Sequence, residues 1–122
     1  MEPNNVNTIG FPTTAGTRFL REYRPKANAP LADMIFRQGA ILFAKANMHE
    51  LALGSTSANP TFGFVKNPYD LTRIPGGSSG GTAAALAARI VPLGYHRLHA
   101  VAFLWDCGTS PLKPAHQQAL SS

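Results

Sequence analysis

Two serines and four glycines lie together in residues 76–81 of this 122-residue chain, between Pro75 and an alanine-rich run. Glycines let the backbone turn tightly and let other groups approach it closely, and alanines favour a helix. Such a turn places N–H groups and two hydroxyls, those of Ser78 and Ser79, at a helix N-terminus. Residues 76–81, named here the Gly–Ser turn, are therefore the first candidate for chemistry.

Three roles compete for the Gly–Ser turn. A nucleotide phosphate loop needs Gly-x-x-x-x-Gly-Lys-Ser/Thr, and Thr82 stands where the lysine is required. A flexible Gly/Ser linker is the second role, but this run is short and lies between segments with their own structural patterns. The third role is catalysis by a serine hydroxyl, which the surrounding motifs favour.

Several motifs, in the same order, resemble the amidase signature family. They are Gly-Phe-Pro-Thr-Thr-Ala-Gly-Thr at 10–17, Ile-Leu-Phe-Ala-Lys-Ala-Asn-Met-His-Glu-Leu at 41–51, Asn-Pro-Tyr-Asp at 67–70 and Gly-Gly-Ser-Ser-Gly-Gly-Thr at 76–82. The likeness covers about residues 5–94 and looks closest to the indoleacetamide and mandelamide hydrolase branch. It implies an α/β fold, a mixed sheet covered by helices, of which residues 5–94 are expected to form an incomplete part.

The resemblance also implies the hydrolysis of a carboxamide C–N bond to carboxylate and ammonia, without a metal or an organic cofactor. The family uses a serine nucleophile, a second serine on a cis peptide bond and a lysine base, because a serine hydroxyl attacks only once a base takes its proton. By resemblance, the second serine is Ser78 and the cis bond joins Gly77 to Ser78. Ser79 is expected to be a supporting hydroxyl of the same loop, together with Gly76, Gly77, Gly80 and Gly81.

Two of the three catalytic groups are missing at the positions that the resemblance assigns to them. Pro3 stands at the place of the family's lysine, and Ala102 stands at that of the nucleophile. The family carries a lysine at the place of Lys45 as well as the catalytic one, so Lys45 is expected either to be structural or to support the catalytic groups without touching the substrate. We therefore predict that this chain alone is inactive. The alternative is a non-catalytic binding or interaction fragment.

The composition changes abruptly in residues 95–122, which we interpret as a divergent tail. This stretch holds three of the four histidines and the only tryptophan and cysteine. A frameshifted or misassembled reading frame, or a truncated gene, would explain the change. Residues 98–105 suit a helix, and residues 106–122 suit a disordered segment. No zinc site is predicted, because beyond one His-x-x-His pair the spacing of the candidate ligands matches no motif; these are His96, His99, Cys107 and His116.

Charge and composition argue against several other classes of protein. The net charge is +5, but the 11 basic residues are scattered, and aromatic residues do not interleave with a basic stripe as a nucleic-acid surface would require. A lone Cys107 cannot form an internal disulfide, no secretory signal is visible, and no apolar run approaches membrane-spanning length. We expect a soluble, cytoplasmic protein whose partner is a small amide, not a nucleic acid or a membrane.

A helix is predicted directly after the Gly–Ser turn, where it would hold the turn in place. Its apolar residues recur at helical spacing, and Pro92 is expected to block its continuation; they are Ala83, Leu86, Ala87 and Ile90.

Other elements are predicted upstream. A helix begins at Asn28 or Pro30 and ends at Gly39, with an apolar face of Leu31, Met34 and Ile35. Residues 41–44 predict a buried strand, residues 48–53 one or two helical turns, and residues 55–75 a long surface loop. Because the family's sheet needs a much longer chain, we expect residues 41–43 to be uncovered here.

Overall fold

The computed structural model describes residues 2–95, in which short elements are joined by long turns. In chain order they are strand β1 (Glu2–Pro3), helix α1 (Pro30–Arg37), strand β2 (Lys45–Ala46), a 3₁₀ turn (Glu50–Ala52), strands β3 (Ala58–Asn59) and β4 (Gly63–Phe64), and helix α2 (Gly80–Ala87). Strand β1 pairs with β2 in parallel, and β3 pairs with β4 as an antiparallel hairpin. This is the α/β arrangement that was expected, with the 3₁₀ turn inside the predicted 48–53 segment.

Helix α1 begins at Pro30 and ends before Gly39, as predicted. Proline suits the first helical position because no N–H is needed there. Gly39 has a φ of 86°, and its N–H is bonded to the Phe36 carbonyl at 2.9 Å, so the helix ends in a left-handed glycine. The predicted apolar face is wrong in part, because Ala32 is the buried residue and Met34 is 57% exposed. The small alanine allows the close approach, and the larger side chains lie to its sides.

Helix α2 follows the Gly–Ser turn directly, as predicted, but it ends earlier than expected and its predicted apolar face is right only in part. It begins at Gly80 and ends at Ala87, because Arg89 takes a φ of 57° and interrupts the helix before Pro92 can. Ile90 is 57% exposed, whereas it was expected on the inner face. The inner face is set by the close packing of the first turn, and of the predicted residues only Leu86 is buried; the buried members are Gly80, Thr82, Ala85 and Leu86.

Residues 41–44 do not form the buried strand that their apolar run predicted. Strand β2 begins only at Lys45, after this run. Ile41 is 91% exposed and Phe43 is 65% exposed. The expectation that residues 41–43 are uncovered is therefore confirmed for Ile41 and Phe43, whereas Leu42 is half-buried.

Residues 55–75 contain more structure than the predicted surface loop. They hold the β3–β4 hairpin, and Ser57 and Asn59 are fully buried. The Asn59 amide donates to the carbonyls of Gly16 and Met48 at 2.8 and 2.9 Å, and its oxygen accepts the N–H groups of residues 61 and 62. A polar side chain with all its groups bonded can be buried, and this is why a polar segment folds inward.

The interior depends on polar side chains as much as on apolar ones. A small apolar cluster joins Ala85 and Leu86, both in α2, to Val91. The threonines near the N-terminus bond to backbone instead; the Thr17 hydroxyl, for example, donates to the Thr14 carbonyl at 2.8 Å. The other buried polar residues are Thr8, Thr13, Thr14, Ser57, Asn59, Asn67 and Thr82.

Neither helix in residues 2–95 has the length and apolarity needed to cross a membrane.

Candidate functional site

The Gly–Ser turn leads directly into helix α2, with Ser79 as the residue before the first helical position. The peptide bond between Gly77 and Ser78 is cis, as the family resemblance implied. Ser78 is half-buried, so its side chain lies at the boundary between the interior and the surface.

Two neighbours fix the backbone of Ser78. Its carbonyl oxygen accepts the His49 N–H at 2.8 Å and the Ser57 hydroxyl at 3.3 Å. The Ser57 oxygen also accepts the N–H of Gly80 at 2.9 Å. Because Ser57 is fully buried, water does not compete for its bonds. One hydroxyl thus holds both sides of the turn, and we call the Ser57 and His49 contacts the Ser78 clamp.

Packing requires glycine at three positions of the Gly–Ser turn. A Cβ at Gly77 would lie 2.8 Å from the Ser57 nitrogen, and one at Gly80 would overlap the Ser57 side chain. A Cβ at Gly81 would overlap the backbone of Asn47, to whose carbonyl the Gly81 N–H donates at 3.1 Å. The turn is therefore pressed against the segments at residues 47 and 57, and this fixes where Ser78 lies.

Two buried hydroxyls at the start of α2 have no hydrogen-bond partner within residues 2–95. They are Ser79 Oγ and Thr82 Oγ1, and Ser79 makes no capping bond to the helix. A buried hydroxyl without a partner costs about 1–3 kcal/mol, so a hydrogen bond between either hydroxyl and a group from outside these residues would be favourable. The supporting role expected of Ser79 stays a prediction.

The Asn-Pro-Tyr-Asp motif at 67–70 supports the far end of α2. The Tyr69 hydroxyl donates to the Ala87 carbonyl in the last turn, at 2.9 Å. Asp70 accepts the Thr72 hydroxyl at 2.6 Å and the Arg73 guanidinium at 2.9 Å. The bonds from Thr72, followed by that from Arg73, hold the pKa of the Asp70 carboxyl below its usual value. The motif is a structural brace for the helix that follows the turn.

Lys45 makes the kind of contacts expected of a structural residue. Its ammonium donates to the Val6 carbonyl and, at 3.4 Å, to the Thr13 hydroxyl, and so ties the 6–13 segment to β2. Pro3, at the place of the family's lysine, lies in β1 opposite Ala46.

The predicted features of the tail lie outside the described residues. They include Ala102, the helix at 98–105, and the rejected ligands His96, His99, Cys107 and His116. Residues 2–95 contain no group of three or more His, Cys, Asp and Glu side chains placed to hold a metal.

The residues that hold the turn were not found from the sequence. Ser57 lies in a segment of serine, threonine and asparagine, whose composition is the same for exposed loops and for buried hydrogen-bonding turns. His49 and Asn47 contact the turn through backbone atoms, so the identities of these two residues do not predict the contacts. Only the likeness of the 41–51 segment to the family's motifs pointed to this region.

Comparison with known proteins agrees with the motifs. The sequence profile of the family described as Amidase matches residues 4–95. The glutamyl-tRNA(Gln) amidotransferase A subunit of Sulfolobus acidocaldarius is 46% identical over 90 residues, which are 74% of this chain and 19% of that protein. The corresponding protein of Chloroflexus aurantiacus is 46% identical over 116 residues, 91% of this chain and 23% of the relative. That second alignment continues past residue 95.

Solved structures show the same fold. The glutamyl-tRNA(Gln) amidotransferase A subunit of Thermotoga maritima superposes with a TM-score of 0.74 at 38% identity, over 76% of this chain and 21% of that chain. A 6-aminohexanoate cyclic dimer hydrolase complexed with substrate gives a TM-score of 0.73 at 30% identity, over 76% and 20%. The chain thus spans about a fifth of the length of the relatives it matches. The family profile matches three quarters of the residues and the fold is shared, so the chain belongs to the amidase family.

Proposed function

We propose that residues 5–94 supply the bridging-serine part of an amidase that hydrolyses a carboxamide C–N bond. Ser78 would carry the proton between nucleophile and base, and the loop around it would consist of Gly76, Gly77, Ser79, Gly80 and Gly81. The observation that supports this most directly is the Ser78 clamp, in which the His49 N–H and the buried Ser57 hydroxyl fix the serine's backbone.

A fixed serine matches what a proton relay requires. The hydroxyl must lie within hydrogen-bond reach of both the group that gives the proton and the group that takes it. A lysine can take it only when burial lowers its pKa enough to leave it neutral. The Ser78 clamp fixes the backbone that carries this hydroxyl. Within the chain's own sequence, Pro3 and Ala102 supply neither an amine nor an alcohol.

Residues 5–94 and 95–122 would accordingly differ in role, the first as the amidase part and the second as the divergent tail. The proposed inactivity of the chain follows from the two missing groups. Several independent reads of the locus test the origin of the tail, and an uninterrupted frame in all of them would reject a frameshift.

A chimera tests the role of Ser78 directly. Residues 5–94 would replace the aligned segment of the Chloroflexus aurantiacus amidotransferase protein, a 46% identical relative, so that the host supplies everything outside them. We expect the chimera to release ammonia from an amide, and Ser78→Ala to lower the rate by at least about 100-fold, the usual scale for loss of proton transfer.

Ser55→Ala is the matched control, because Ser55 is an exposed serine of the neighbouring segment. It should leave the rate of the chimera unchanged. A soluble, folded Ser78→Ala chimera that keeps the parent rate would refute the proposed relay.

The chain alone tests the proposed inactivity. Purified protein would be incubated with indoleacetamide, mandelamide and glutamine, which represent the branch that the motifs favour and the amidotransferases that the relatives are named for. Ammonia release should not exceed that of buffer. Turnover that Ser78→Ala abolishes would contradict the proposed loss of base and nucleophile.

A non-catalytic interaction fragment is the second candidate, and a separate observation favours it. Large apolar side chains are exposed on residues 2–95, among them Ile41 and Leu53 at 91% and 82%. Exposed apolar side chains mark contacts with another protein when they form a continuous patch. If the chimera folds but is inactive with every amide, this second candidate replaces the first.

A further inference from the structure

The two contacts of the Ser78 clamp come from opposite ends of one loop, residues 49–57, which we name the clamp loop. At its start, the His49 N–H donates to the Ser78 carbonyl at 2.8 Å, and at its end the Ser57 hydroxyl donates to the same oxygen at 3.3 Å. Ser57 also accepts the Gly80 N–H at 2.9 Å. Both contacts can form together only if the two ends of the clamp loop stay at a fixed separation.

A contact between side chains joins the two ends of the clamp loop. His49 Nδ1 lies 3.3 Å from the hydroxyl oxygen of Thr56, the residue directly before Ser57. The same oxygen accepts the Ala58 N–H at 3.3 Å, so the Thr56 hydroxyl is itself held in place. The loop is therefore closed directly beside the atoms that bond to Ser78.

The imidazole ring of His49 also packs inside the clamp loop. Gly54 leaves room for it, because a Cβ there would overlap the ring. Apolar burial contributes little, since Leu51 is 53% exposed and Leu53 is 82% exposed. Leu51 and Ala52 take φ values of 53° and 62°, which side chains adopt only when the surrounding contacts hold them. The shape of the loop thus depends on hydrogen bonds and on the ring of His49.

We infer that the side chain of His49 is a positioning residue for Ser78 and acts through Thr56. The contact between the two side chains sets the separation of the His49 N–H and the Ser57 hydroxyl, and these two groups together fix the Ser78 carbonyl. The imidazole does not have to touch a substrate for this role. The effect on reaction rate rests on the proposed function, whereas the effect on the clamp does not.

Amide hydrogen exchange on the full chain tests the effect on the clamp without any activity. With isotopically labelled glycine and histidine, NMR reports the His49 and Gly80 N–H groups, which belong to the two ends of the clamp. Thr56→Val should speed the exchange of both by about 10-fold, the scale of one lost hydrogen bond, and Thr56→Ser should restore the parent rates. The Gly81 N–H donates to the Asn47 carbonyl at 3.1 Å and should change little, which makes it an internal control.

His49→Phe separates the contact from the other bond of Thr56. It keeps a ring above Gly54 and leaves the Ala58 bond intact, but it removes Nδ1. Exchange of the Gly80 N–H should be as fast as in Thr56→Val. Unchanged exchange at Gly80 in both variants, or equal acceleration at Gly81, would overturn the inference, as would a parent chain in which the His49 N–H is unprotected.

Kinetics of the chimera test the effect on rate. Thr56→Val and His49→Phe should each lower kcat by about 10-fold and leave KM nearly unchanged, because a misplaced reacting group slows the chemical step. The double variant should lose no more than either single one, since both remove the same contact. Ser55→Ala, beside Thr56 but exposed, should keep the parent kcat.

The chimera also separates this inference from the proposed relay. If Ser78→Ala lowers the rate but Thr56→Val and His49→Phe keep the parent kcat, the positioning role is refuted and the relay stands. If Ser78→Ala keeps the parent rate, the relay is refuted, and the exchange rates at Gly80 and Gly81 still decide whether His49 holds the clamp.

Discussion

At the scale of single residues, the site is organised by buried polar side chains that bond to backbone. Ser57 joins the carbonyl of Ser78 to the N–H of Gly80, and Asn59 joins two segments that are far apart in sequence. Both are fully buried, and each saturates groups that would otherwise be unpaired. They stabilise the fold because removing either side chain would leave buried backbone groups without a hydrogen-bond partner.

Asn59→Ala should therefore lower the free energy of unfolding by about 2–4 kcal/mol, because it leaves two buried carbonyls unpaired and removes the acceptor of two part-buried N–H groups. Chemical denaturation of the chimera measures the change. Asn28→Ala is the matched control. Asn28 accepts the Ile9 N–H in an exposed bond and donates to the Asp33 carboxylate in a part-buried one at 2.7 Å, so water can replace much of this bonding and the loss should stay at about 1 kcal/mol. Equal losses for the two variants would contradict this explanation.

Asp70 carries a prediction about pH. Its pKa lies below the ordinary value because the charged form accepts bonds from Thr72 and Arg73. A depressed pKa adds stability above the ordinary value, and this contribution is lost as the pH falls through the folded-state value. Thr72→Val should raise the pKa of Asp70, because the Thr72 hydroxyl bond that it removes is the largest single cause, and Arg73→Gln should raise it too, because it removes a smaller bond and a positive charge.

Carboxyl titration by NMR measures both changes, and Arg24→Gln should leave the pKa of Asp70 where it is. An unchanged pKa of Asp70 in Thr72→Val would contradict the assignment of the cause.

At the scale of elements, helix α2 is held by contact rather than by helix propensity. Glycine is a poor helix former, yet α2 begins with Gly80 and Gly81 because the backbone of Asn47 and the side chain of Ser57 leave no room for a Cβ. The helix starts where the Ser78 clamp ends, so the position of the serine and the start of the helix depend on the same packing.

Gly81→Ala distinguishes packing from propensity by the sign of its effect. Alanine would stabilise an ordinary helix by about 0.5–1 kcal/mol, whereas overlap with the Asn47 backbone should destabilise this one by about 1–3 kcal/mol. Thermal unfolding of the chimera decides between them. Ala84→Gly, in the same helix, should cost only about 0.5–1 kcal/mol. A stabilised Gly81→Ala variant would mean that the close approach is absent.

The sequence predicted elements where local residue chemistry decides the backbone. Pro30 and Gly39 mark α1 correctly, because a proline suits a helix start and a left-handed glycine ends one. The cis bond at Gly77 was also expected, but from family motifs and not from local chemistry.

Where tertiary packing decides, the predictions were wrong. The buried face of α2 depends on Asn47 and Ser57, and in the 41–44 run Ile41 and Phe43 lack a cover within residues 2–95. The burial of Ser57 and Asn59 could not be predicted either, since polar side chains are buried only when distant backbone groups meet them.

At the scale of the whole molecule, residues 2–95 have more exposed apolar surface than their small core would suggest. The cluster of Ala85, Leu86 and Val91 is modest, whereas several large side chains are more than 60% exposed. Surfaces of this kind favour contact with other protein surfaces. The most exposed are Phe19, Ile41, Phe43, Leu53, Phe64 and Leu71.

The isolated chain should therefore self-associate as its concentration rises, because the side chains of Ile41 and Phe43 remain exposed. The double substitution Ile41→Lys with Phe43→Lys should reduce the association seen by sedimentation velocity. Ser55→Lys adds charge at an exposed polar position and should reduce it much less. A parent chain that stays monomeric over the whole concentration range would show that these side chains do not drive association.

The parallel pairing of β1 with β2 has a consequence for the order in which the chain can fold during synthesis. A hairpin forms from neighbouring residues, but β1 must wait until the ribosome has released residues 45 and 46, its partners. Translation adds about 5–20 residues per second, so β1 waits a few seconds for residues 45 and 46 to follow it. The Ser78 clamp needs residues that emerge later still, because its two halves lie at residues 49–57 and 78–80. The nascent chain therefore holds both strands of the β1–β2 pair before it holds all the parts of the candidate catalytic turn.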